Sequence, residues 1–113
     1  QHAMAMLDDG TLWAWGRSCG LFGCLLGDGS TLASEYALQL RLANGSALLN
    51  PRAFAISVGH NAVVLSDGTV LAWGGNQAGQ LGDGTTTSRN VATFVRTAAG
   101  GLFDDVVDIA VAN

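Results

Sequence analysis

The stretch Val64–Gly84 reads V-L-S-D-G-T-V-L-A-W-G-G-N-Q-A-G-Q-L-G-D-G, and an altered copy of its first half occurs earlier in the chain. At an offset of 58 residues, His2–Gly16 aligns with His60–Gly74, and eight of the fifteen positions are identical. A second shared triplet, Gly-Asp-Gly, stands at 27–29 and again at 82–84. An internal repeat of this length is typical of modular arrays, in which each unit packs its apolar face against its neighbours.

Each copy contains an Asp-Gly dipeptide between two short apolar runs. Asp-Gly favours a tight hairpin, because the turn needs a positive φ that glycine adopts without strain. The sequence therefore predicts two hairpins, Ala3–Leu7 with Thr11–Trp15 and Ala62–Leu65 with Thr69–Trp73. The turn glycines and the Trp-Gly pairs that end the hairpins are expected to be structural: Gly10, Trp15, Gly16, Gly68, Trp73 and Gly74.

The pattern H-x5-S/D-D-G-T-x2-A-W-G, followed by G-x-L-G-D-G-T-T, resembles the repeat of the regulator of chromosome condensation family. That family builds seven-bladed β-propellers. The resemblance implies an all-β fold in which the chain supplies two four-stranded antiparallel blades of a partial propeller, with repeat units at 1–58 and 59–113. The second copy matches almost completely. The first departs after Gly16 and lacks the N-Q-x-G-Q-L segment found at Asn76–Leu81.

Outside the hairpins, alternating or continuous apolar runs predict further strands. In the second repeat, the two hairpin strands and two later runs would complete a blade of four. An Asn44-Gly45 turn is expected in the connection between the repeats. The additional predicted strands are Tyr36–Leu42, Ala53–Val58, Val91–Val95 and Val106–Val111.

The composition excludes several classes of protein. With 49% hydrophobic residues the chain can bury a core, and no apolar run is long enough to cross a bilayer. Five arginines, no lysine and nine acidic residues give a net charge of −4 without a basic cluster. Because phosphate contacts supply most of the affinity for DNA, we expect no nucleic-acid partner.

The two ends of the sequence are in phase with the repeat. The run 106–113 is of the kind that precedes the repeat's histidine, and the chain starts with Gln1-His2. We therefore expect either a piece of a longer array or a unit that associates head to tail. Two blades alone cannot close a propeller, so further repeats or self-association are needed to cover their apolar flanks.

No catalytic, metal or cofactor motif accompanies the repeat, and we expect no enzyme activity, no metal and no cofactor. Aspartates beside the glycines are better explained by hairpin turns than by calcium. Cys19 and Cys24 form either a small disulfide loop or a pair of free thiols. A zinc site is less favoured, since two thiols supply only half of a tetrahedral set.

The family resemblance implies a non-catalytic module that binds a protein of unknown identity through loops at one rim. The positions that match such loops are His2, His60, Asn76 and Gln77. Alternatively, these side chains only bond to neighbouring backbone. Two other functions stay open: part of a guanine nucleotide exchange factor for a small GTPase, or a structural repeat of a bacterial secreted or surface protein. The absence of lysine, the acidic Ala/Gly/Thr-rich composition and the cysteine pair favour the extracellular space or the cell surface of a bacterium.

Overall fold

The computed structural model describes residues 2–16, 19–20, 23–24, 26, 34–42, 46, 50–57 and 59–111. These ranges contain β-strands and connecting segments, and no helix in them could span a membrane. The strands are β1 (His2–Met6), β2 (Leu12–Gly16), β3 (Cys19–Gly20), β4 (Gly23–Cys24), β5 (Ser34–Gln39), β6 (Pro51–Ile56), β7 (His60–Leu65), β8 (Val70–Gly74) and β9 (Arg89–Phe94).

The strands form two main antiparallel sheets. Sheet 1 has the order β1-β2-β5, and sheet 2 has the order β6-β7-β8-β9. A short ribbon, β3-β4, lies in the connection after β2. The predicted all-β class is confirmed. Sheet 2 has the four strands expected of a blade, and sheet 1 has three among the described residues.

Both predicted hairpins are confirmed, and they share one register. His2 pairs with Gly16 in sheet 1, as His60 pairs with Gly74 in sheet 2. At the corners, Gly10 and Gly68 have φ values of 84° and 86°. The aspartate before each glycine accepts two hydrogen bonds from the threonine after it, with N···O distances of 3.0 Å and O···O distances of 2.6 Å. This arrangement fixes the corner geometry through local bonds.

The two copies also share an irregularity. The pairing of β2 with β5 shifts between Ala14 and Gly16, and the pairing of β8 with β9 shifts between Ala72 and Gly74. In each case the shift spans the tryptophan that precedes the final glycine of the hairpin. An irregularity at equivalent positions shows that the repeats fold alike beyond their hairpins.

The fourth strand of sheet 2 differs from the one predicted. It is β6, which pairs with β7, and the expected strand Val106–Val111 does not form. Instead, Ile109 and Val111 pack on the face of sheet 2 against a buried cluster that includes Leu81. The strand prediction failed because the apolar run covers a face of the sheet rather than extending its edge. The unit boundary at 58 stays a prediction, and β6 pairs across it.

The main core lies between the two sheets. One face of sheet 1 packs against one face of sheet 2, so the repeats share a single apolar interior. Trp73 is fully buried there, and its Nε1 donates to the carbonyl oxygen of Leu26 at 3.1 Å. The buried members of this cluster are Leu12, Ala14, Leu40, Val63, Leu71, Trp73 and Ala92.

Two predicted features involve side chains or residues that the structure does not describe. The backbone of the β3-β4 ribbon places Cys19 opposite Cys24, but the two cysteine side chains lie outside the description. The disulfide therefore stays a prediction. The Asn44-Gly45 turn also lies outside the described residues.

Candidate functional site

The four residues predicted for partner binding lie at one end of the two sheets. At this end β1 and β7 begin, and β2 and β8 finish. His2 Nε2 lies 2.7 Å from Oδ1 of Asn61, which joins the start of β1 to the start of β7. We call this end of the sheets, together with the loop 75–88, the His rim.

His60 has a tightly constrained backbone at the rim. A Cβ at Gly74 would lie 2.7 Å from the Cα of His60, so the two strands approach closely where they pair. The bond from the N–H of Gly75 to the carbonyl of Gly59, at 2.7 Å, continues this contact beyond the strands. The side chain of His60 is half-buried and lines a cleft on the side of sheet 2 that faces away from sheet 1.

Asn76 organises the loop that follows β8. Its side chain is fully buried, and its Oδ1 accepts a bond from the N–H of Leu81 at 2.9 Å. Its Nδ2 donates to the carbonyl oxygens of Thr85 and Thr87, both at 3.0 Å, and contacts Asp83 Oδ1 at 3.2 Å. A single amide thus joins both arms of the loop. Because it lies in the interior, Asn76 positions the loop rather than presenting a surface to a partner.

An ion pair that the sequence motifs did not indicate joins the loop to the start of β9. Asp83 Oδ2 accepts a bond from Arg89 Nε at 3.1 Å, and the Asp83 side chain is only 3% exposed. Burial by itself raises the pKa of Asp83, but hydrogen bonds from Thr85, Arg89 and Asn76 outweigh burial, so the pKa lies below its ordinary value. The carboxylate therefore stays ionised and serves as the acceptor for the loop.

Asp83 repeats the corner chemistry of the two hairpins. Its Oδ1 accepts from the N–H of Thr85 at 3.0 Å and from the hydroxyl at 2.7 Å, as in the Asp-Gly-Thr corners. The sequence signal for this third corner was present in Asp83-Gly84-Thr85. The role of Arg89 had no comparable signal, since an isolated arginine six residues away does not reveal its partner.

Polar side chains project from the outside of this ordered loop. Gln77 is exposed, and Gln80 is exposed while its Oε1 accepts a bond from the N–H of Ala78 at 2.9 Å. Thr85, Thr86 and Thr87 are exposed on the other arm. Of the four predicted residues, Gln77 therefore presents the most accessible side chain, while His2 and His60 are half-buried and Asn76 is interior.

The described residues at the rim carry no arrangement suited to metal binding. Within the described part of the chain, no three His, Cys, Asp or Glu side chains come together as ligands. Every buried side-chain nitrogen or oxygen described has a hydrogen-bond partner. The loop 75–88 exposes amides and hydroxyls, and the Asn76 side chain holds it from within.

Comparison with solved structures identifies the fold. The chain is similar to human WBSCR16, with a TM-score of 0.66 and 19% identity over 86% of this chain. It is also similar to Prp20p from Saccharomyces cerevisiae, with a TM-score of 0.56 and 22% identity over 87% of this chain. In both cases it spans about a quarter of the other chain, 24%. The predicted partial propeller is thus confirmed. No curated protein sequence gives a significant match.

Family models agree with the fold. A model of the regulator of chromosome condensation (RCC1) repeat matches residues 67–113, and a second model of the same repeat matches residues 52–80. Together they cover more than half of the chain, including β6 from its second residue, β7 to β9 and the loop of the His rim. The chain therefore belongs to the regulator of chromosome condensation repeat family.

Proposed function

We propose that this chain is part of a β-propeller that recognises a protein partner through the His rim. The observation that carries the proposal is the loop 75–88, which is fixed from inside by Asn76 and exposes uncharged polar groups outside. A loop ordered before binding loses little conformational entropy when it meets a partner, so its exposed groups can contribute to affinity.

The net charge of the chain and its exposed polar groups favour a protein as the partner over a nucleic acid. The chain has a net charge of −4, which disfavours the phosphate backbone of nucleic acids. Amides and hydroxyls such as those of Gln77, Gln80 and Thr86 donate and accept hydrogen bonds, and can therefore pair with the polar rim of a protein interface. The Prp20p structure is described together with the binding of that protein to Gsp1p and histones. That statement supports a protein partner for a chain of this fold without naming one here.

A crosslinking experiment tests this proposal. A photoreactive amino acid at Gln77 is compared with the same group at Tyr36, whose side chain is 79% exposed on β5 of the other sheet. Both variants are mixed with a purified panel of a small GTPase and core histones. We expect an adduct from position 77 with one panel member and none from position 36. Equal labelling at both positions, or no adduct from position 77, would count against rim recognition.

The same panel distinguishes partner recognition from the alternative function, nucleotide exchange. If the chain contributes to nucleotide exchange, it should bind the small GTPase and accelerate release of a labelled GDP analogue. Binding without faster release would support recognition alone. Since the chain spans about a quarter of Prp20p, we expect recognition rather than exchange from these residues.

A further inference from the structure

The two repeats reach an equivalent buried leucine through loops of different construction. Leu26 and Leu81 each precede a Gly-Asp-Gly triplet, and both are 1% exposed. Leu81 follows Gly74, the last residue of β8, by seven positions, whereas Leu26 follows Gly16, the last residue of β2, by ten. Both loops return the chain from the end of a strand to the core, but the first loop is longer by three residues.

The second loop is held by a single amide. Asn76 Oδ1 accepts a bond from the N–H of Leu81 at 2.9 Å, and Nδ2 donates to the carbonyl oxygens of Thr85 and Thr87 at 3.0 Å. This network needs an asparagine two positions after the last glycine of the hairpin, where the first repeat has Ser18. A serine hydroxyl has one donor, whereas an amide has two donors and a separate acceptor oxygen. The first loop therefore needs a different means of closure.

The first loop contains a cross-strand pair of cysteines. In the ribbon β3-β4, Cys19 is the Cα partner of Cys24, and Gly20 is the partner of Gly23. Directly opposed residues of antiparallel strands have Cα atoms about 4.5–5.5 Å apart. A disulfide spans Cα separations of about 4.4–6.8 Å. The backbone register therefore satisfies the distance requirement of a disulfide between these two residues.

The composition of the ribbon favours such a link. Each of its strands has two residues, and one of the two is a glycine. A two-stranded ribbon is marginally stable by itself, and glycine weakens a strand because it offers no side chain for packing. Besides glycine, the two strands contain only Cys19 and Cys24. A bond between these residues is therefore the one side-chain link that the strands can form with each other.

The ribbon leads directly into a contact between the repeats. Leu26 lies two positions after Cys24, and its carbonyl oxygen accepts a bond from Trp73 Nε1 at 3.1 Å. Trp73 is fully buried in the core that both sheets share. The backbone at Leu26 must keep its position for this bond to form. A closed ribbon fixes the chain immediately before Leu26.

We propose that Cys19 and Cys24 form a disulfide that closes the first loop and holds the Leu26 carbonyl against the Trp73 indole. The disulfide stabilises the loop of the first repeat as Asn76 stabilises the loop of the second. Disulfides form in oxidising compartments, whereas cytosolic thiols stay reduced. The link between the repeats is therefore stronger in an oxidising environment. This role does not depend on partner binding at the His rim.

Oxidised glutathione is the oxidant that the test uses. One cysteine thiolate attacks a sulfur of oxidised glutathione, displaces a glutathione thiolate and leaves a mixed disulfide. The second cysteine thiolate attacks the protein sulfur of that mixed disulfide and displaces the other glutathione thiolate. Two electrons pass from the cysteines to glutathione, and the two protons that the cysteines lose end on the two glutathione thiols.

Peptide mapping locates the bond. Trypsin cleaves after Arg17 and Arg41, so both cysteines lie in the peptide 18–41. After incubation with oxidised glutathione and alkylation of the remaining thiols, we expect this peptide to be unalkylated and lighter than its reduced form by two hydrogen atoms. Dithiothreitol should restore two thiols. Alkylation of both cysteines, retained glutathione or two linked copies of the peptide would each overturn the proposal.

The indole N–H of Trp73 reports on the coupling to Leu26. Its NMR resonance is assigned by its loss in Trp73→Phe, and its hydrogen exchange is measured in the oxidised and the reduced chain. Loss of one hydrogen bond should speed up this exchange about threefold to tenfold. The double variant Cys19→Ser, Cys24→Ser should exchange as fast as the reduced chain and should not respond to dithiothreitol.

The backbone amide of Leu81 is the matched control, because it has the equivalent position in the second loop. Its exchange should be the same in the oxidised and the reduced chain. Asn76→Ala should speed up its exchange and leave the peptide 18–41 oxidised. The proposal fails if reduction leaves the exchange of the Trp73 indole unchanged. It also fails if reduction affects Leu81 as much as Trp73, since the disulfide would then support the whole fold rather than the contact at Leu26.

Discussion

The indole Nε1 of Trp73 lies 3.1 Å from the carbonyl oxygen of Leu26, and both residues are buried. Leu26 belongs to the connection between the first hairpin and β5, while Trp73 lies in β8. The bond therefore joins segments from the two repeats and satisfies the polar atom of an otherwise apolar side chain. It makes Trp73 both a core residue of sheet 2 and a link to the first repeat.

Replacing Trp73→Phe should lower the free energy of unfolding by about 1–3 kcal/mol, because it leaves a buried carbonyl without its donor and removes core volume. Urea denaturation followed by circular dichroism measures the change. Tyr36→Phe is the matched control. Its side chain is 79% exposed, so the expected change is within about 0.5 kcal/mol. Equal effects of the two substitutions would show that the indole bond contributes nothing.

The corner glycine of the second hairpin gives a prediction about backbone packing. Gly68 has a φ of 86°, and a Cβ there would lie 2.8 Å from the backbone nitrogen of Asp105. Gly100 has a similar φ of 91°, but a Cβ there would meet no atom within 4 Å. Gly100→Ala should therefore cost about 1–2 kcal/mol from the positive φ alone.

Gly68→Ala should cost measurably more than Gly100→Ala, because the backbone of Asp105 must also move. Thermal unfolding of both variants under the same conditions gives the difference. Equal melting temperatures of the two variants would contradict the close approach of the 104–106 segment to the corner.

Asn76 is expected to be the most sensitive position of the His rim. Asn76→Ala removes the acceptor of the Leu81 N–H and the donor to the carbonyls of Thr85 and Thr87. Leaving the buried N–H of Leu81 and these two part-buried carbonyls unpaired should cost about 3 kcal/mol and increase hydrogen exchange within 76–88. Gln77→Ala, at the adjacent exposed position, should change stability by less than about 0.5 kcal/mol. A loop that kept its protection in Asn76→Ala would contradict the central role of this amide.

The hairpins could be predicted because their determinants are local. The Asp-Gly corners and the short apolar runs beside them act within a few positions, and Asp9 and Asp67 accept hydrogen bonds from Thr11 and Thr69. The internal repeat added the expectation that both copies fold alike, which the shared register confirms.

The sequence pattern did not determine the positions of the outer strands. Pro51–Ile56 and Val106–Val111 are both apolar runs, and local propensity does not distinguish a strand on an edge from a segment lying across a face. At the rim, Asn76 and Gln77 lie in the loop after β8, whereas His2 and His60 are the first residues of β1 and β7. Partner binding by these four residues stays a prediction. The burial of Asn76 and its side-chain hydrogen bonds to Leu81, Asp83, Thr85 and Thr87 depended on the packing of the whole loop, which no single motif encodes.

The lowered pKa values of three aspartates predict that acid destabilises the fold. Hydrogen bonds from the following threonine side chain and backbone hold the pKa of Asp9 and Asp67 below the ordinary value of 3.8. At Asp83, burial opposes the lowering of the pKa, but hydrogen bonds prevail. A carboxyl whose pKa is lower in the folded chain stabilises the fold above its unfolded pKa, and this stabilisation is lost as the pH falls through its folded pKa.

The contribution of these carboxylates to the free energy of unfolding should therefore be nearly constant from pH 7 to about pH 5. It should decline below about pH 4. Urea midpoints at a series of pH values measure this profile. Asp83→Asn should be less stable at pH 7 and lose less on acidification, whereas Gln77→Ala should follow the unsubstituted chain. An unchanged acid response in Asp83→Asn would contradict the stabilising role of its carboxylate.

The central claim is that the two repeats fold as adjacent propeller blades with one shared core. Residue-resolved native-state hydrogen exchange of the variant Leu12→Ala tests this claim. The substituted residue lies in sheet 1, and its truncation opens a cavity in the cluster that both sheets share. We predict that the slowest-exchanging amides of β2 and β8 lose protection by the same free energy, because the sheets unfold together. Loss of protection in β2 with β8 unchanged would contradict the shared core.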